Sequence, residues 1–160
     1  VLTKQMELYP YQRLYFTSFN YGKLRPLFNQ GKEHAISNIH PEVHILLVSG
    51  IASPKQLESD LRTVNQNIHP LSFSDHHHFS ATDLKNIKHA FEELPEGRRM
   101  IVTTEKDAVR LKINSHLDEN IKPYIYVLPI EVTFLQNQED SFNQNIIEYV
   151  RKNSRNRSLS

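Results

Sequence analysis

The sequence has no cysteine, no tryptophan and only four glycines among its 160 residues. The absence of cysteine excludes disulfides, thiolate metal sites and a cysteine nucleophile, and nothing in the composition indicates secretion. The longest strictly aliphatic run covers only residues 45–48, whereas a membrane span needs about 18 residues. With 38% apolar and 23% charged residues, the chain is typical of a globular protein and not of a disordered or collagenous one.

Positive charge is concentrated at the end of the chain. The formal net charge is +1, but the last ten residues hold four basic and no acidic side chains, and residues 1–150 hold 15 basic and 18 acidic ones. A slightly acidic body offers no broad surface that could follow a phosphate backbone, so we expect no nucleic-acid partner. The chain begins at Val1 and shows no signal-peptide pattern, which predicts a segment of a longer protein.

Segments rich in β-branched and aromatic residues alternate with segments of helical period, and this succession predicts an α/β fold with a mostly parallel sheet and flanking helices. The chain divides by composition into an aromatic-rich lead-in over 1–44, an α/β domain over 45–152 and a polar basic tail over 153–160. The predicted strands cover 14–19, 44–49, 68–73, 100–104, 124–128 and 130–134. The predicted helices lie near 54–65, 81–94, 106–111 and 141–152.

Two of the predicted helices begin with a capping signature. Ser53 is followed by Pro54 and Gln56 at the start of the first helix. Ser80 is followed three residues later by Asp83 at the start of the second. In such a capping box the hydroxyl accepts a bond from the helix amide three residues on, and the later side chain binds the amide of the cap. The pattern therefore predicts two firmly fixed helix starts.

Polar clusters follow three of the predicted strands, at residues 50–53, 74–78 and 104–107. In open parallel sheets ligands bind beyond the carboxyl ends of the strands, where these loops and the next helix N-termini meet. We therefore expect the three clusters to lie on one edge of the sheet and to form a site.

The densest cluster is Asp75, His76, His77 and His78. A carboxylate beside several imidazoles can orient a histidine for proton transfer or supply ligands to a divalent cation. The alternative is an exposed polar turn in front of a helix. In the third cluster, Lys106 and Asp107 stand at the first turn of a helix, where an ammonium group can reach a phosphate. There the alternative is simple capping by Thr104.

The sequence contains neither G-x-x-x-x-G-K-S/T nor G-x-G-x-x-G. By itself the chain therefore carries no recognised phosphate-binding loop and is an incomplete nucleotide enzyme.

Four motifs, taken in order over about residues 45–133, resemble the carboxyl-terminal half of the tetraacyldisaccharide 4'-kinase family, which acts in the lipid A pathway of Gram-negative bacteria. They are Gly50-Ile51-Ala52-x-Pro54, Phe73-Ser74-Asp75-His76-His77-His78-Phe79, Thr104-Glu105-Lys106-Asp107-Ala108-Val109-Arg110 and Leu128-Pro129-Ile130-Glu131-Val132. Each motif alone is modest, but the order and spacing together are specific.

The resemblance implies a P-loop kinase fold and transfer of the ATP γ-phosphoryl group, with Mg²⁺, to the 4'-hydroxyl of a tetraacyldisaccharide 1-phosphate. The acylated substrate, a lipid A precursor, implies peripheral contact with the inner membrane on its cytoplasmic side. The family's amino-terminal loop and catalytic Asp have no counterpart here, so we expect this chain alone to be inactive.

The resemblance also implies roles for single residues. Asp75, His76 and His77 are expected to face the phosphoryl-transfer centre, with His76 as partner to the missing base. Lys106, Asp107 and Thr104 are expected to contact the nucleotide. His78 occupies the variable position of the family signature, and no residue of this chain is expected to bind a metal.

Two other functions remain open at this point. One is a metal-dependent phosphoesterase of the class named for its Asp-His-His motif, which needs further aspartates to hold two metal ions. No paired aspartates precede Asp75 here, and Asp60 stands alone in a predicted helix. The other is a non-catalytic α/β binding domain in which the polar clusters only cap helices.

Overall fold

The computed structural model describes residues 8, 9 and 11–157, with side chains as far as residue 154. Short 3₁₀ helices occupy Ile36–Asn38 and Lys122–Tyr124. The strands are β1 (Thr17–Tyr21), β2 (Arg25–Pro26), β3 (His44–Ser49), β4 (Ile68–Ser72), β5 (Arg99–Thr104), β6 (Ile125–Leu128) and β7 (Ile130–Phe134). The helices are α1 (Pro54–Arg62), α2 (Ala81–Glu92), α3 (Glu105–Lys112) and α4 (Glu139–Arg157).

The main sheet has five strands in the order β2-β6-β5-β3-β4. Strands β4, β3, β5 and β6 run parallel, and only the short edge strand β2 is antiparallel to its neighbour β6. The central strand β3 is apolar without alternation because helices cover both of its faces. The predicted α/β fold with a mostly parallel sheet and flanking helices is confirmed.

The helices divide between the two faces of this sheet. Helix α1 packs on one face, where its Leu57 and Leu61 share a core cluster with Ile45 and Leu47 of β3. Helices α2 and α3 pack on the other face with the alternate residues of β3. Right-handed crossovers require this arrangement, because the chain first moves outward from β3 to β4 and then returns past β3 to β5. The loops after β3 and β5 therefore diverge, and a crevice opens between their carboxyl ends.

The capping box predicted at Ser53 is wrong. The Ser53 hydroxyl accepts no helix amide, and the Gln56 side chain instead donates to Asp60 Oδ1 at 2.8 Å. Since Pro54 has no amide hydrogen, the first turn of α1 has one amide fewer that needs an acceptor. The helix therefore tolerates the missing capping bond. The capping box predicted at Ser80 is confirmed, with both of its reciprocal bonds to Asp83 present.

By compactness the chain divides into two units, one over Tyr21–Ile130 and one that combines residues 1–20 with 131–160. In the second unit β1 pairs with β7, and the rings of Tyr15, Phe134 and Phe142 pack together. Strand β1 covers Thr17–Tyr21, so it begins and ends later in the sequence than the predicted strand over 14–19. The segment boundaries predicted at 44 and 152 stay predictions.

Helix α4 of the second unit continues to Arg157, so the predicted polar tail over 153–160 begins as helix. Residues 158–160 of that tail lie outside the described part of the chain. Across the residues that the structure describes, no helix combines the length and the apolar character that a membrane span needs.

Candidate active site at the carboxyl edge of the sheet

Gly50 marks the point at which the three polar clusters meet. Its amide, directly after β3, donates to Oδ2 of Asp107 in α3 at 2.8 Å. A Cβ atom at this position would lie 3.2 Å from both the Asp107 Oδ1 atom and the main-chain oxygen of Ser74, which follows β4. Only glycine allows the loops to approach so closely without displacement. The structure thus brings the predicted clusters to one edge of the sheet.

Asp107 is fully buried, and both of its carboxylate oxygens are used inside the protein. Besides the Gly50 amide, Oδ2 accepts the Thr104 hydroxyl at 2.9 Å, and Oδ1 accepts Nη1 of Arg110 at 3.2 Å. Thr104 also caps α3, because its hydroxyl oxygen accepts the amide of Asp107. These bonds tie the start of α3 to the loop after β3. Both oxygens of the Asp107 carboxylate have hydrogen-bond partners.

Asp75 and Lys106 connect the second cluster to the third. The Lys106 Nζ atom donates to Asp75 Oδ1 at 2.5 Å, and the amide of His76 donates to the same oxygen at 2.9 Å. The bond from Lys106 is the main reason that the pKa of Asp75 lies below its ordinary value. Asp75 is therefore ionised at neutral pH, and both groups remain partly exposed at the sheet edge.

His76 is strongly exposed, with 76% of its side chain accessible. Its backbone has φ of 60°, a left-handed conformation that is uncommon for residues other than glycine and that surrounding structure must support. The His76 Nε2 atom lies 3.6 Å from Oδ2 of Asp75. The carboxylate therefore lies beside the His76 imidazole, and the ring stays open to a substrate.

His77 has a different environment from His76. Its Nε2 atom lies 2.9 Å from Asp83 Oδ2. Its ring stacks on Phe73 at a centroid distance of 4.8 Å and meets the edge of Phe79 at 5.5 Å. Only 26% of this side chain is exposed. His77 is thus held on three sides, whereas His76 is held only through its backbone and Asp75.

Asp83 is a contact of the Asp75–His78 cluster that sequence reasoning missed. Its Oδ2 atom accepts from the Ser80 amide at 2.8 Å and the Ser80 hydroxyl at 2.7 Å, as well as from His77. These bonds, with that of the Ser80 hydroxyl first, lower the pKa of Asp83 to about 2. The spacing of Ser80 and Asp83 indicates only a helix cap, and no feature of the sequence points to His77 as a further partner.

A cavity of about 250 Å³ opens beside the start of α3. Its lining includes Ile51 from the loop after β3, together with Thr104 and Lys106. His78 lies apart from this cavity and lines another one, of about 350 Å³, with Phe79 and Arg110. Of the predicted nucleotide contacts, the structure therefore places Thr104 and Lys106 on one cavity wall and Asp107 behind it.

A family model described as tetraacyldisaccharide-1-P 4'-kinase matches residues 5–151 of the chain. A tetraacyldisaccharide 4'-kinase of Phocaeicola vulgatus is 59% identical over 160 residues, which are 100% of this chain and 44% of the relative. The kinase of the same name from Bacteroides fragilis is 53% identical, over 99% of this chain and 43% of the relative. The chain thus spans less than half the length of these relatives.

Among solved structures, the crystal structure of LpxK from Aquifex aeolicus in complex with ATP is similar over 92% of this chain and 39% of that chain. The sequence identity is 16% and the TM-score is 0.46. The family match and the close relatives each cover nearly the whole of the present sequence. The chain therefore belongs to the tetraacyldisaccharide 4'-kinase family, as its four motifs predict.

Proposed function

We propose that this chain is the carboxyl-terminal part of a kinase that transfers the γ-phosphoryl group of ATP to the 4'-hydroxyl of tetraacyldisaccharide 1-phosphate. The observation that carries the proposal is the family match over residues 5–151, whose motif residues converge at one sheet edge. The phosphate-binding loop is contributed by the remainder of the longer protein, since relatives are more than twice as long as this chain. The chain alone is inactive.

Asp75 and His76 supply the proton-handling part of the site. Phosphoryl transfer depends mainly on positioning and charge stabilisation, but the attacking sugar hydroxyl must also give up its proton. His76 is exposed at the crevice, and its Nε2 atom lies 3.6 Å from Asp75 Oδ2. The imidazole can therefore orient a base from the rest of the protein or share the proton with it, while Asp75 balances the charge.

Lys106 and Thr104 form the phosphate side of the site. Both line the cavity at the start of α3, where the helix amides favour an anion. The Lys106 ammonium, now bonded to Asp75, can turn to a phosphate oxygen of the nucleotide. Asp107 does not touch the nucleotide in this proposal, because both of its oxygens hold Thr104, Gly50 and Arg110 in place.

The residues of this edge do not fit a Mg²⁺ site. No group of three histidine, aspartate or glutamate side chains close enough to bind a metal occurs among the described residues. Asp75 is bonded to Lys106 and Asp107 is buried. Mg²⁺ usually binds substrate phosphates, water and one or two carboxylates. We therefore assign its protein ligands to the remainder of the kinase and derive no step from it here.

Because the proposed acceptor carries acyl chains, we propose that the whole enzyme works in peripheral contact with the bacterial inner membrane, on its cytoplasmic side. The family matches cover nearly the whole chain. They favour the kinase over a phosphoesterase or a non-catalytic binding domain.

The test is ATP-dependent phosphorylation of tetraacyldisaccharide 1-phosphate by the full-length protein, comparing wild type with His76→Ala. We expect transfer by wild type and a loss of about 100-fold in the variant, the scale of a lost acid–base partner. His116→Ala is the matched control, because it removes an exposed imidazole beyond the end of α3. If wild type transfers no phosphate, the proposal is wrong. If wild type transfers phosphate and His76→Ala keeps full activity, the proposed role of His76 is wrong.

A further inference from the structure

We infer that Asp83 is a positioning residue of the phosphoryl-transfer site, which acts by fixing the His77 imidazole and, through it, the turn that presents Asp75 and His76. The inference rests on the proposed function and adds to it a residue that the family motif itself does not contain.

The bond from His77 is more than a helix cap requires. A capping box is complete when Ser80 and Asp83 exchange their two bonds, and both are present. The Asp83 Oδ2 atom nevertheless accepts a further bond, at 2.9 Å, from a side chain that lies outside α2. One carboxylate oxygen thus joins the helix to the motif turn. Because α2 packs on the sheet through the buried Leu84, Ile87 and Phe91, the turn is anchored to the core.

The bond to Asp83 also favours one tautomer of the His77 imidazole. A carboxylate at Nε2 favours the tautomer that carries its hydrogen there, and Nδ1 then remains as an acceptor. Among the described residues, Nδ1 of His77 has no hydrogen-bond partner. Stacking on Phe73 and the edge contact with Phe79 prevent the ring from turning over. Asp83 and the two aromatic rings therefore fix the orientation of the His77 ring and favour one of its two neutral tautomers.

His76 lies between two anchored neighbours. On one side, Asp75 is held by Lys106 at 2.5 Å. On the other, His77 is held by Asp83, and its amide donates to the main-chain oxygen of Ser74 at 3.2 Å. The left-handed backbone of His76 persists only where surrounding contacts over-determine it. Loss of the Asp83 anchor would release one side of this turn and let His76 relax away from the crevice.

The experiment uses full-length kinase and compares Asp83→Asn with Ser80→Ala. Asp83→Asn removes the charge that orients His77 and retains an oxygen that can still cap α2. Ser80→Ala removes the capping hydroxyl, with its bond to Asp83 Oδ2, and leaves the bond between His77 and Asp83. We expect kcat to fall at least about 10-fold in Asp83→Asn, with KM for ATP within about two-fold, because a misplaced acid–base group mainly affects the chemical step. Ser80→Ala should keep kcat. Equal losses in both variants would show that Asp83 serves only the helix.

A double-mutant cycle with His77→Ala tests whether Asp83 acts through the imidazole. If it does, adding Asp83→Asn to His77→Ala lowers kcat no further, whereas independent roles give multiplied losses.

Nitrogen-15 NMR of the histidine rings gives a readout that does not depend on activity. His77 should show hydrogen on Nε2 in wild type and a mixture of tautomers in Asp83→Asn. An unchanged ring spectrum would overturn the inference, and this outcome is readable even if wild type transfers no phosphate and the proposed function itself fails.

Discussion

The main-chain amide of Gly50 donates a 2.8 Å hydrogen bond to Oδ2 of Asp107, a residue 57 positions further along the chain. The two residues belong to different βα units, and the bond spans the crevice between the carboxyl ends of β3 and β5. The buried Asp107 carboxylate therefore joins the loop after β3 to the start of α3. The start of α3, with Thr104 and Lys106, is therefore fixed before any ligand arrives.

Asp107→Asn should lower the free energy of unfolding by about 2–3 kcal/mol, because a buried acceptor of several bonds loses its charge and turns an amide group toward a donor. The measurement is urea unfolding followed by circular dichroism. Glu105→Gln is the control: Glu105 also lies in the first turn of α3, but its pair with Arg25 is exposed, so the change should be below about 1 kcal/mol. Equal effects would show that burial of Asp107 contributes little.

Ser80→Ala and Ser53→Ala form a matched pair at the starts of two helices. Ser80→Ala should lower the free energy of unfolding by about 1 kcal/mol, the usual contribution of an N-cap hydroxyl. The Ser80 hydroxyl accepts the amide of Asp83 and so forms such a cap. Ser53→Ala should change stability by less than about 0.5 kcal/mol, because the Ser53 side chain makes no capping bond. The midpoints of urea unfolding of the two variants check both values, and a costly Ser53→Ala would contradict the structure.

Much of the fold follows from the sequence because buried parallel strands and amphipathic helices leave clear patterns. Strand β3 has its predicted bounds, since a strand covered on both faces shows an uninterrupted apolar run. Strand β2 could not be predicted: it is only Arg25–Pro26, and it exists because β6 offers a free edge. The bounds of β1 were shifted because its partner, β7, lies at the far end of the chain.

The site could be predicted as a set of clusters but not as a network. Strand ends are visible in the sequence, so the common edge of Asp75 and Lys106 could be inferred. Which group each side chain binds depends on loop geometry. Neither the inward turn of Asp107 nor the bond between His77 and Asp83 has a sequence signature, because these bonds join residues that only the folded loops bring together.

Lys106→Gln should lower kcat/KM of the full-length kinase for ATP at least about 10-fold, if the ammonium group binds a nucleotide phosphate. Its pair with Asp75 is partly exposed, so the free energy of unfolding should change by less than about 1 kcal/mol. Lys112→Gln, at the other end of the same helix, is the control and should leave kcat/KM unchanged. A loss of activity that matches a loss of stability would argue against a phosphate contact.

Acid should weaken the contribution of Asp83. The pKa of its carboxyl is about 2 in the folded chain, against an ordinary value of 3.8. Because the folded-state pKa is the lower one, the carboxylate stabilises the fold fully above about pH 4, and this contribution disappears as the pH falls toward 2. The difference in unfolding free energy between wild type and Asp83→Asn should therefore be constant from pH 7 to 5 and shrink below pH 4. Urea unfolding at a series of pH values measures it, and a difference that stays constant down to pH 3 would contradict the shift.

The pairing of β1 with β7 has a consequence for the order of folding. The Oγ atom of Ser18 lies 3.0 Å from Oγ1 of Thr133, across 115 positions of sequence. During synthesis the last strand of the five-stranded sheet, β6, is finished at Leu128, before β7 has been made. The central sheet can therefore form while β1 still has no partner. The β1–β7 pair spans a long loop, and we expect it to form after the central sheet.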